Sequence, residues 1–218
     1  MMRILYGYFR SSAAFRVRIA LGLKGLDYEH RAINLKPGVS EQKSEDYLKL
    51  NPQGRVPYFI DGDVALSQSP AILEYLDEAY PRPSLLPEGM ADRAYVRQLA
   101  SLIGCDIHPL NNLSVLMRIK GQLGADEDAT NSWYHHWVTE GFTALEAMLA
   151  SSEHRGRFCF GDTPSMADIY LVPQVWNARR FGTPLDAFPT ILSIDAACQQ
   201  EQAFIAAAPE NQPDAPQA

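Results

Sequence analysis

The order of strand-like and helix-like segments in residues 3–79 constrains the fold of this chain most strongly. Apolar or alternating runs predict four strands, at residues 3–7, 28–35, 56–60 and 64–66. Apolar residues at helical spacing predict three helices, at residues 12–24, 40–50 and 69–79. The predicted order is therefore β-α-β-α-β-β-α.

This order predicts a mixed sheet. A strand-helix-strand start makes the first two strands parallel, and Asp61-Gly62 between the last two predicts a hairpin. Together these features predict an α/β thioredoxin-like N-terminal domain over residues 1–82. Residues 80–87 contain three prolines, which predicts a linker. Helical spacing then recurs at residues 89–120, 126–150, 165–180 and 190–207, which predicts an all-α C-terminal domain over residues 88–212.

The composition limits which binding partners and which cellular compartment are compatible with this chain. The 218 residues carry a net charge of −7, which argues against binding of nucleic acid or an anionic membrane by the chain as a whole. No run approaches the roughly 20 apolar residues of a membrane helix, and the N-terminal apolar stretch is too short for a signal peptide. Cys105, Cys159 and Cys198 fit neither a disulfide framework nor a metal site, which predicts buried free thiols in a reducing cytoplasm.

Two serines, Ser11 and Ser12, lie at the predicted turn from the first strand into the first helix. A helix start exposes unpaired N–H groups and about half a positive charge, so it favours an anion such as a thiolate. The simpler interpretation is a serine N-cap, which needs no ligand. Thioredoxin-like redox enzymes carry Cys-x-x-Cys at this position and this chain does not, so a reactive sulfur would have to arrive with a ligand.

Two further features lie near the predicted hairpin. A proline at position 57 removes a ladder donor, and a cis bond after Val56 would turn the Val56 backbone towards a peptide-like ligand. A proline that merely begins a strand is an equally good interpretation. Gln68 and Ser69 precede Pro70 at the start of the third helix, where a bound carboxylate and simple capping by Ser69 both fit the pattern.

Two patterns in the second half predict structure rather than chemistry. Ser165 and Asp168 have the spacing of a capping box, which predicts a structural role for Asp168. The segment from Pro209 to Ala218 is rich in proline, glutamine and alanine, which predicts an irregular or mobile tail.

Several motifs together resemble the zeta class of cytosolic glutathione transferases. They are Ser11-Ser12-x-x-x-Arg16-Val17-Arg18-Ile19-Ala20-Leu21, Val56-Pro57, Gln68-Ser69, Asn111-Asn112-Leu113-Ser114-Val115-Leu116, Met166-Ala167-Asp168, Leu171-Val172-Pro173-Gln174-Val175, Arg180-Phe181 and Gln212-Pro213-Asp214. The resemblance covers nearly the whole chain. It implies the two-domain transferase fold and a glutathione-dependent cis–trans isomerase that acts on a maleyl diketo acid in aromatic amino-acid catabolism.

The resemblance also implies roles for individual residues. Catalysis would be carried by Ser11, Ser12 and Arg10, with both serines facing the glutathione sulfur. Glutathione, the implied cofactor, would contact Ser11, Gln42, Val56, Pro57, Gln68, Ser69, His108, Asn112 and Ser114. The carboxylates of a dicarboxylate substrate would meet Arg10 and Arg180. A cytoplasmic homodimer without a metal is implied as well.

The substrate stays open between two related diketo acids. Family members often have cysteine where this chain has Ala13, and glutathione would supply the sulfur in its place. Leu113 and Ser114 favour maleylacetoacetate, because some maleylpyruvate-specific members carry arginines there. Cys105-Asp106-Ile107-His108-Pro109 is closer to the maleylpyruvate type. The same motifs also fit a general glutathione transferase or dehalogenase, and a non-catalytic module that binds glutathione.

Overall fold

The chain divides into two compact units in its computed structural model, which describes residues 2–216. Unit 1 comprises residues 2–85 together with residues 199–216, and unit 2 comprises residues 86–198. The first break falls within the predicted linker. The second break follows residue 198, whereas the helical domain is predicted to end at residue 212. The two differ because a short helix that contains the buried Phe204 and Ala207 packs on the first helix of the chain.

The secondary structure follows the predicted alternation. The strands of unit 1 are β1 (Arg3–Gly7), β2 (Glu29–Ala32), β3 (Tyr58–Asp61) and β4 (Val64–Ser67). Its helices are α1 (Ser12–Leu23), α2 (Glu45–Leu50), α3 (Ser69–Ala79) and α10 (Gln202–Ala207), with 3₁₀ turns at Glu41–Lys43 and Pro209–Asn211. Unit 2 contains α4 (Met90–Ser101), a π-helical segment (Leu102–Ile107), α5 (His108–Asn111), α6 (Leu113–Leu123), α7 (Glu127–Ala150), α8 (Met166–Arg180) and α9 (Pro189–Cys198).

The strands of unit 1 form one sheet in the order β2-β1-β3-β4. The first two are parallel, whereas β3 is antiparallel to both β1 and β4. Tyr58 at the start of β3 lies opposite Tyr6 near the end of β1 and opposite Ser67 at the end of β4. Gly7 lies opposite Ala32, the last residue of β2. The ends of β1, β2 and β4 and the start of β3 therefore lie at the same end of this thioredoxin-like sheet, which confirms the predicted fold class.

Local backbone chemistry explains where these elements begin and end. Gly62 follows β3 with φ +59°, the left-handed conformation that a two-residue hairpin loop requires. Gly25 ends α1 with φ +63°, as the sequence predicts for a helix stop. The predicted helix at residues 40–50 is divided, because Ser44 is extended and its side chain accepts a hydrogen bond from the Tyr47 N–H to begin α2.

Unit 2 is built around α8. Most residues of α8 are buried, including Ile169, Leu171 and Val175, and both α4 and α9 pack against it. α7 packs in turn against α9 and the π-helical segment. This packing agrees with the predicted all-helical C-terminal half. Within residues 2–216, no helix combines the length and the apolar character needed to cross a membrane.

The start of α8 confirms the structural interpretation of Asp168. Its carboxylate is fully buried and accepts hydrogen bonds from the Ser165 N–H at 2.8 Å, the Ser165 hydroxyl at 2.8 Å and the Cys159 N–H at 2.9 Å. Burial and the nearby carboxylate raise the pKa of the Cys159 thiol, so that thiol is protonated and inert. Cys198 is buried as well, but Cys105 is exposed, so the prediction of buried thiols is wrong for Cys105.

The C-terminal segment agrees in part with its prediction. Pro209–Asn211 form a 3₁₀ turn, whereas residues 212–216 have no regular secondary structure, as predicted. Contacts within unit 1 nevertheless hold this segment, because Gln212 donates hydrogen bonds to the Ala206 and Ala208 carbonyls and Asp214 accepts one from the Phe9 N–H. The last part of the predicted tail, residues 217 and 218, lies outside the described residues.

The Asp168 cap yields a stability prediction. We expect Asp168→Ala to lower the free energy of unfolding by about 3 kcal/mol, because it leaves buried donors of Ser165 and Cys159 without an acceptor. The control is Asp126→Ala, which removes an exposed side-chain cap of the Ala129 N–H and costs about 1 kcal/mol. Urea denaturation followed by circular dichroism measures both, and equal losses would contradict the structural role given to Asp168.

Candidate functional site

The candidate site of unit 1 is formed by the segments that leave one end of the sheet. The β1–α1 turn carries Arg10, Ser11 and Ser12, and the segment after β4 carries Gln68 and Ser69. The segment before β3 carries Val56 and Pro57, and the segment after β2 carries Gln42. The β2 segment is joined to the end of β1 by a hydrogen bond of 2.7 Å from the Ile33 N–H to the Gly7 carbonyl. The structure therefore brings together the unit 1 residues that the sequence analysis singled out.

Ser11 is the N-cap of α1. Its backbone is extended, with φ −71° and ψ 113°, and its Oγ accepts a hydrogen bond of 3.2 Å from the Ala14 N–H. A hydroxyl has one proton and two lone pairs, so capping leaves the Ser11 proton available to a ligand. Ser12 is the first residue of the helix and is buried. The capping interpretation and the anion-binding interpretation of Ser11 are therefore compatible with each other.

Arg10 precedes the cap and adds positive charge. Its guanidinium lies 5.0 Å from the centroid of the Phe9 ring and donates a hydrogen bond of 3.0 Å to the Tyr8 hydroxyl. The side chain is half-buried, so its charge is fixed in place by the two aromatic neighbours rather than moving freely in solvent. Tyr8 was not predicted from the sequence, where only its position next to Phe9 and Arg10 marks it.

The segment before β3 places the Val56 backbone outside the strand ladder, which begins at Tyr58. The Val56–Pro57 peptide bond is cis. The Arg55 carbonyl, one residue earlier, accepts hydrogen bonds from the Tyr47 hydroxyl at 2.8 Å and the Asn51 amide at 2.7 Å. Burial raises the pKa of Tyr47 to about 12, so its hydroxyl remains a donor at neutral pH. Val56 is therefore held at a fixed position from its N-terminal side.

The start of α3 corrects one detail of the sequence analysis. Gln68 is the N-cap, Ser69 is the first helical residue and Pro70 the second, whereas Ser69 was predicted as the N-cap. Gln68 has φ +71° and ψ 110°, a left-handed backbone that is costly for a residue with a Cβ atom and is typical of ligand-binding segments. The hydroxyl of the buried Ser69 accepts a hydrogen bond of 3.4 Å from Arg16.

Two glutamines lie beside this turn. The Gln68 amide donates a hydrogen bond of 2.7 Å to the Gln53 side chain, a residue that the sequence analysis missed because it lies in a polar loop without a motif of its own. The Oε1 atom of Gln42 is buried and has no hydrogen-bond partner among residues 2–216. A Cβ atom at Gly54 would lie 2.9 Å from the Gln42 carbonyl, so only glycine permits this close approach. Gln42 therefore presents a buried acceptor next to the segment that leads into Val56.

Three predicted site residues lie in unit 2, two of them at the start of α6 and one at the start of α5. Asn112 is the N-cap, and its Oδ1 accepts hydrogen bonds from the Ser114 N–H at 3.0 Å and the Val115 N–H at 3.3 Å. Its Nδ2 donates to the Pro109 carbonyl at 2.6 Å, and the exposed Ser114 hydroxyl also donates to Asn112. His108 begins α5 directly after the π-helical segment. The Asn112 side chain thus has a local structural role that the motif did not reveal.

Arg180 is the last residue of α8 and is exposed. Its guanidinium lies 4.9 Å from the centroid of the Phe181 ring and 3.4 Å from the Asn177 side-chain oxygen. Phe181 stacks on Tyr134 at 4.0 Å, and burial raises the pKa of Tyr134. The neighbouring Arg179 forms an ion pair of 2.6 Å with the buried Asp195. Of the two adjacent arginines, Arg179 is therefore paired with a buried carboxylate, whereas the exposed Arg180 lies against Phe181 and Asn177.

Two family models match the chain. The model described as "Glutathione S-transferase, N-terminal domain" matches residues 1–78. The model described as "Glutathione S-transferase, C-terminal domain" matches residues 133–195. Together the two matches cover more than half of the chain.

Individual relatives are similar over their full length. The chain is 48% identical over 215 residues to a probable maleylacetoacetate isomerase of Vibrio cholerae serotype O1, with 99% of each chain covered. It is 49% identical, with a TM-score of 0.95 and 98% and 100% of the two chains covered, to a holo structure of a bacterial maleylpyruvate isomerase of the zeta class. A maleylacetoacetate isomerase from Anaeromyxobacter dehalogenans with bound dicarboxyethyl glutathione and citrate is 39% identical, with a TM-score of 0.86 and 99% and 98% covered.

The geometry around Asn112 yields a prediction that tests its role as the N-cap of α6. We expect Asn112→Ala to lower the free energy of unfolding by about 1 kcal/mol, because α6 loses its N-cap. Asn112→Asp keeps the acceptor and should retain most of that free energy. Urea denaturation of the two variants measures the difference. An Asn112→Ala variant as stable as the parent chain would contradict the structural role.

Proposed function

This chain belongs to the zeta class of the glutathione S-transferase family, the class of the maleylacetoacetate and maleylpyruvate isomerases, and we propose that it isomerises a maleyl diketo acid from cis to trans with glutathione. Maleylacetoacetate is the substrate proposed first. The observation that carries the proposal is Ser11, which caps α1 and keeps a hydroxyl proton for an anion at the helix start.

The proposed reaction begins with the glutathione thiolate, which adds to one carbon of the cis double bond. The electron pair of that bond moves onto the conjugated carbonyl and gives an enolate. The former double bond is now single and rotates. The enolate then re-forms the double bond in the trans geometry and expels the thiolate. No atom is gained or lost and nothing is oxidised, so glutathione acts as a catalyst.

The role of Ser11 in this reaction is to stabilise the thiolate. A hydrogen bond to a charged group contributes about 1.5–3 kcal/mol, and one pKa unit corresponds to about 1.4 kcal/mol. One hydroxyl and the α1 N-terminus would thus lower the thiol pKa by about 1–2 units from its ordinary value of about 8.5. Much of the bound glutathione would then be ionised near neutral pH.

The rest of the glutathione molecule would be held by the other segments at the same end of the sheet. The Val56 backbone, which lies outside the ladder, would pair with the cysteinyl unit. Gln68 and Ser69 at the start of α3 would bind the carboxylate of the γ-glutamyl end. The buried Oε1 of Gln42 would accept an N–H of the tripeptide, which supports the placement because this atom has no partner among the described residues.

The substrate would bring two carboxylates, and Arg10 and Arg180 are proposed to meet them. Both are arginines whose guanidinium is set beside an aromatic ring, Phe9 for Arg10 and Phe181 for Arg180. A fixed fork of donors suits a carboxylate. The Anaeromyxobacter relative binds dicarboxyethyl glutathione, a glutathione derivative with two added carboxyl groups, and this supports a dicarboxylate substrate here.

Maleylpyruvate is the second candidate substrate. The two kinds of relative are equally similar, at 48% and 49% identity. The ratio of kcat/KM for maleylacetoacetate, or its analogue maleylacetone, to that for maleylpyruvate decides between them when ultraviolet absorbance follows each cis isomer. Turnover of an alkyl halide acid alone would support a dehalogenase instead, and no glutathione-dependent change would support a binding module.

The proposal includes a cytoplasmic homodimer, which follows from the family resemblance. Light scattering coupled to gel filtration measures the mass of the particle against the 24.3 kDa of one chain. A particle of one chain's mass at micromolar concentration would contradict the dimer without affecting the proposed chemistry.

The first prediction from this mechanism concerns Ser11. We expect Ser11→Ala to raise the thiol pKa of bound glutathione by about 1 unit, because the thiolate loses a charged hydrogen bond but keeps the α1 N-terminus. The kcat profile should shift to higher pH by the same amount. Ultraviolet absorbance of the thiolate, titrated against pH, gives the pKa directly. Ser12→Ala tests the other candidate donor, and the role would pass to Ser12 if only that variant shifted the profile.

The second prediction concerns Arg180. We expect Arg180→Gln to raise KM for the diketo acid by about 10- to 100-fold while kcat changes little, because a charged hydrogen bond of about 1.5–3 kcal/mol to a carboxylate remote from the reacting carbon is lost. Arg179→Gln is the control, and its effect should be on stability, since Arg179 pairs with Asp195. A fall in kcat alone for Arg180→Gln would instead assign this residue to the enolate.

A further inference from the structure

The Gln212-Pro213-Asp214 motif has no role in the chemistry proposed above, yet it lies against the turn that leads into Ser11. The Asp214 Oδ2 accepts a hydrogen bond of 2.9 Å from the Phe9 N–H. The Asp214 Oδ1 lies 3.2 Å from the His30 Nε2. One carboxylate thus binds the β1–α1 turn through a hydrogen bond and lies beside His30 of β2. Residues 207–214 are called the C-terminal clamp below.

Arg18 joins the clamp to the same turn from within α1. Its guanidinium donates to the Ala207 carbonyl at 2.9 Å, to the Phe9 carbonyl at 3.1 Å and to the Tyr8 carbonyl at 3.5 Å. The side chain is buried, and burial lowers the pKa of Arg18 to about 10, so it remains charged at neutral pH. Both the N–H and the C=O of Phe9 are therefore held, one by Asp214 and the other by Arg18.

The turn is connected directly to the cap. The Tyr8 carbonyl that accepts from Arg18 also accepts a hydrogen bond of 2.9 Å from the Ser11 N–H. The Ser11 Oγ in turn accepts from the Ala14 N–H. A displacement of the Tyr8–Phe9 backbone would therefore move Ser11 and change where its hydroxyl points.

His30 lies against the other side of the Asp214 carboxylate. A Cβ atom at Gly7 would lie 3.5 Å from the His30 Cε1, so the ring rests against the last residue of β1. Burial by itself would raise the pKa of Asp214, but the His30 contact and the Phe9 N–H outweigh it and lower that pKa. Asp214 is therefore ionised at neutral pH, which strengthens the hydrogen bond that it accepts from the Phe9 N–H.

The clamp is itself held on α1. The Gln212 amide donates to the Ala206 and Ala208 carbonyls, each at 2.9 Å, which closes the chain after α10. Helix α10 packs on α1 so closely that a Cβ atom at Gly22 would lie 3.1 Å from the Ala203 Cβ. A proline-rich end segment is ordinarily mobile. This one is instead held at its start by the contact of Ala207 with Arg18 and at its end by the contact of Asp214 with Phe9.

We propose that the C-terminal clamp is a positioning element for the Ser11 cap, with Asp214 and Arg18 holding the Tyr8–Phe9 backbone in the position that aims the Ser11 hydroxyl at the glutathione sulfur. The catalytic part of this inference rests on the proposed function. Asp214 touches neither cofactor nor substrate in this scheme and acts only through the turn.

The test compares Asp214→Ala and Asp214→Asn with Glu210→Ala, which removes an exposed carboxylate from the same clamp. The first readout is amide hydrogen exchange at Ser11 and Ala14, because neither amide touches Asp214. The second is the pKa of the bound glutathione thiol, measured by thiolate absorbance. The third is the pair kcat and KM.

We expect Asp214→Ala to speed exchange at Ser11 and Ala14 about tenfold or more, to raise the thiol pKa by about one unit, and to lower kcat with little change in the KM for glutathione. Asp214→Asn keeps an acceptor for the Phe9 N–H and should lie between this variant and the parent chain. It also keeps the test decisive if Asp214→Ala fails to fold. Glu210→Ala should match the parent chain in all three readouts.

The inference is overturned if the Asp214 variants lower only the melting temperature and leave exchange at Ser11 and Ala14 and the thiol pKa unchanged, since the clamp would then be structural alone. Failure of the proposed function has a different signature. A parent chain that neither binds glutathione nor isomerises the diketo acid would refute that function, while hydrogen exchange would still report whether the clamp holds the cap.

Discussion

The hydrogen bond from the Ala14 N–H to the Ser11 Oγ is the contact on which the candidate site depends. It fixes the residue at which α1 begins, and therefore the point at which the helix presents its unpaired N–H groups and its positive end. The strand register places the other loops of the site at the same end of the sheet, because it pairs Tyr6 with Tyr58 and Tyr58 with Ser67. Loops that are far apart in the sequence thus reach one end of the sheet around a single helix start.

Much of the fold could be predicted because its signals are local. Gly62 permits the hairpin and Gly25 ends α1, and both act through their own backbone angles. Boundaries that depend on tertiary contacts could not be predicted in the same way. Gln68 takes a left-handed φ and becomes the cap of α3, although the sequence offers Ser69 next to it as the better capping residue. The cost of that backbone is offset by the surrounding structure, which no local pattern records.

In the candidate site, too, residues with a local sequence signal could be predicted and residues that act through tertiary contacts could not. Ser11 lies at a strand-to-helix turn, which the hydrophobic pattern locates, but Tyr8 and Gln53 act through side-chain contacts that have no sequence signal. The contacts of the C-terminal segment could not be predicted, because composition reports only how little apolar surface it can bury. The contact that holds this segment is polar, because the Asp214 carboxylate accepts a hydrogen bond from the N–H of Phe9, which lies 205 positions earlier in the chain.

Unit 1 is assembled from both ends of the described chain, since residues 199–216 pack with residues 2–85. Protein synthesis proceeds from the N-terminus, so every residue of unit 2 is made before α10 exists. While the ribosome is still adding unit 2, the sheet and α1 are already outside but lack the helix that covers α1. Unit 1 therefore remains incomplete, with the α10-facing side of α1 uncovered, until α10 has been made and packs on α1.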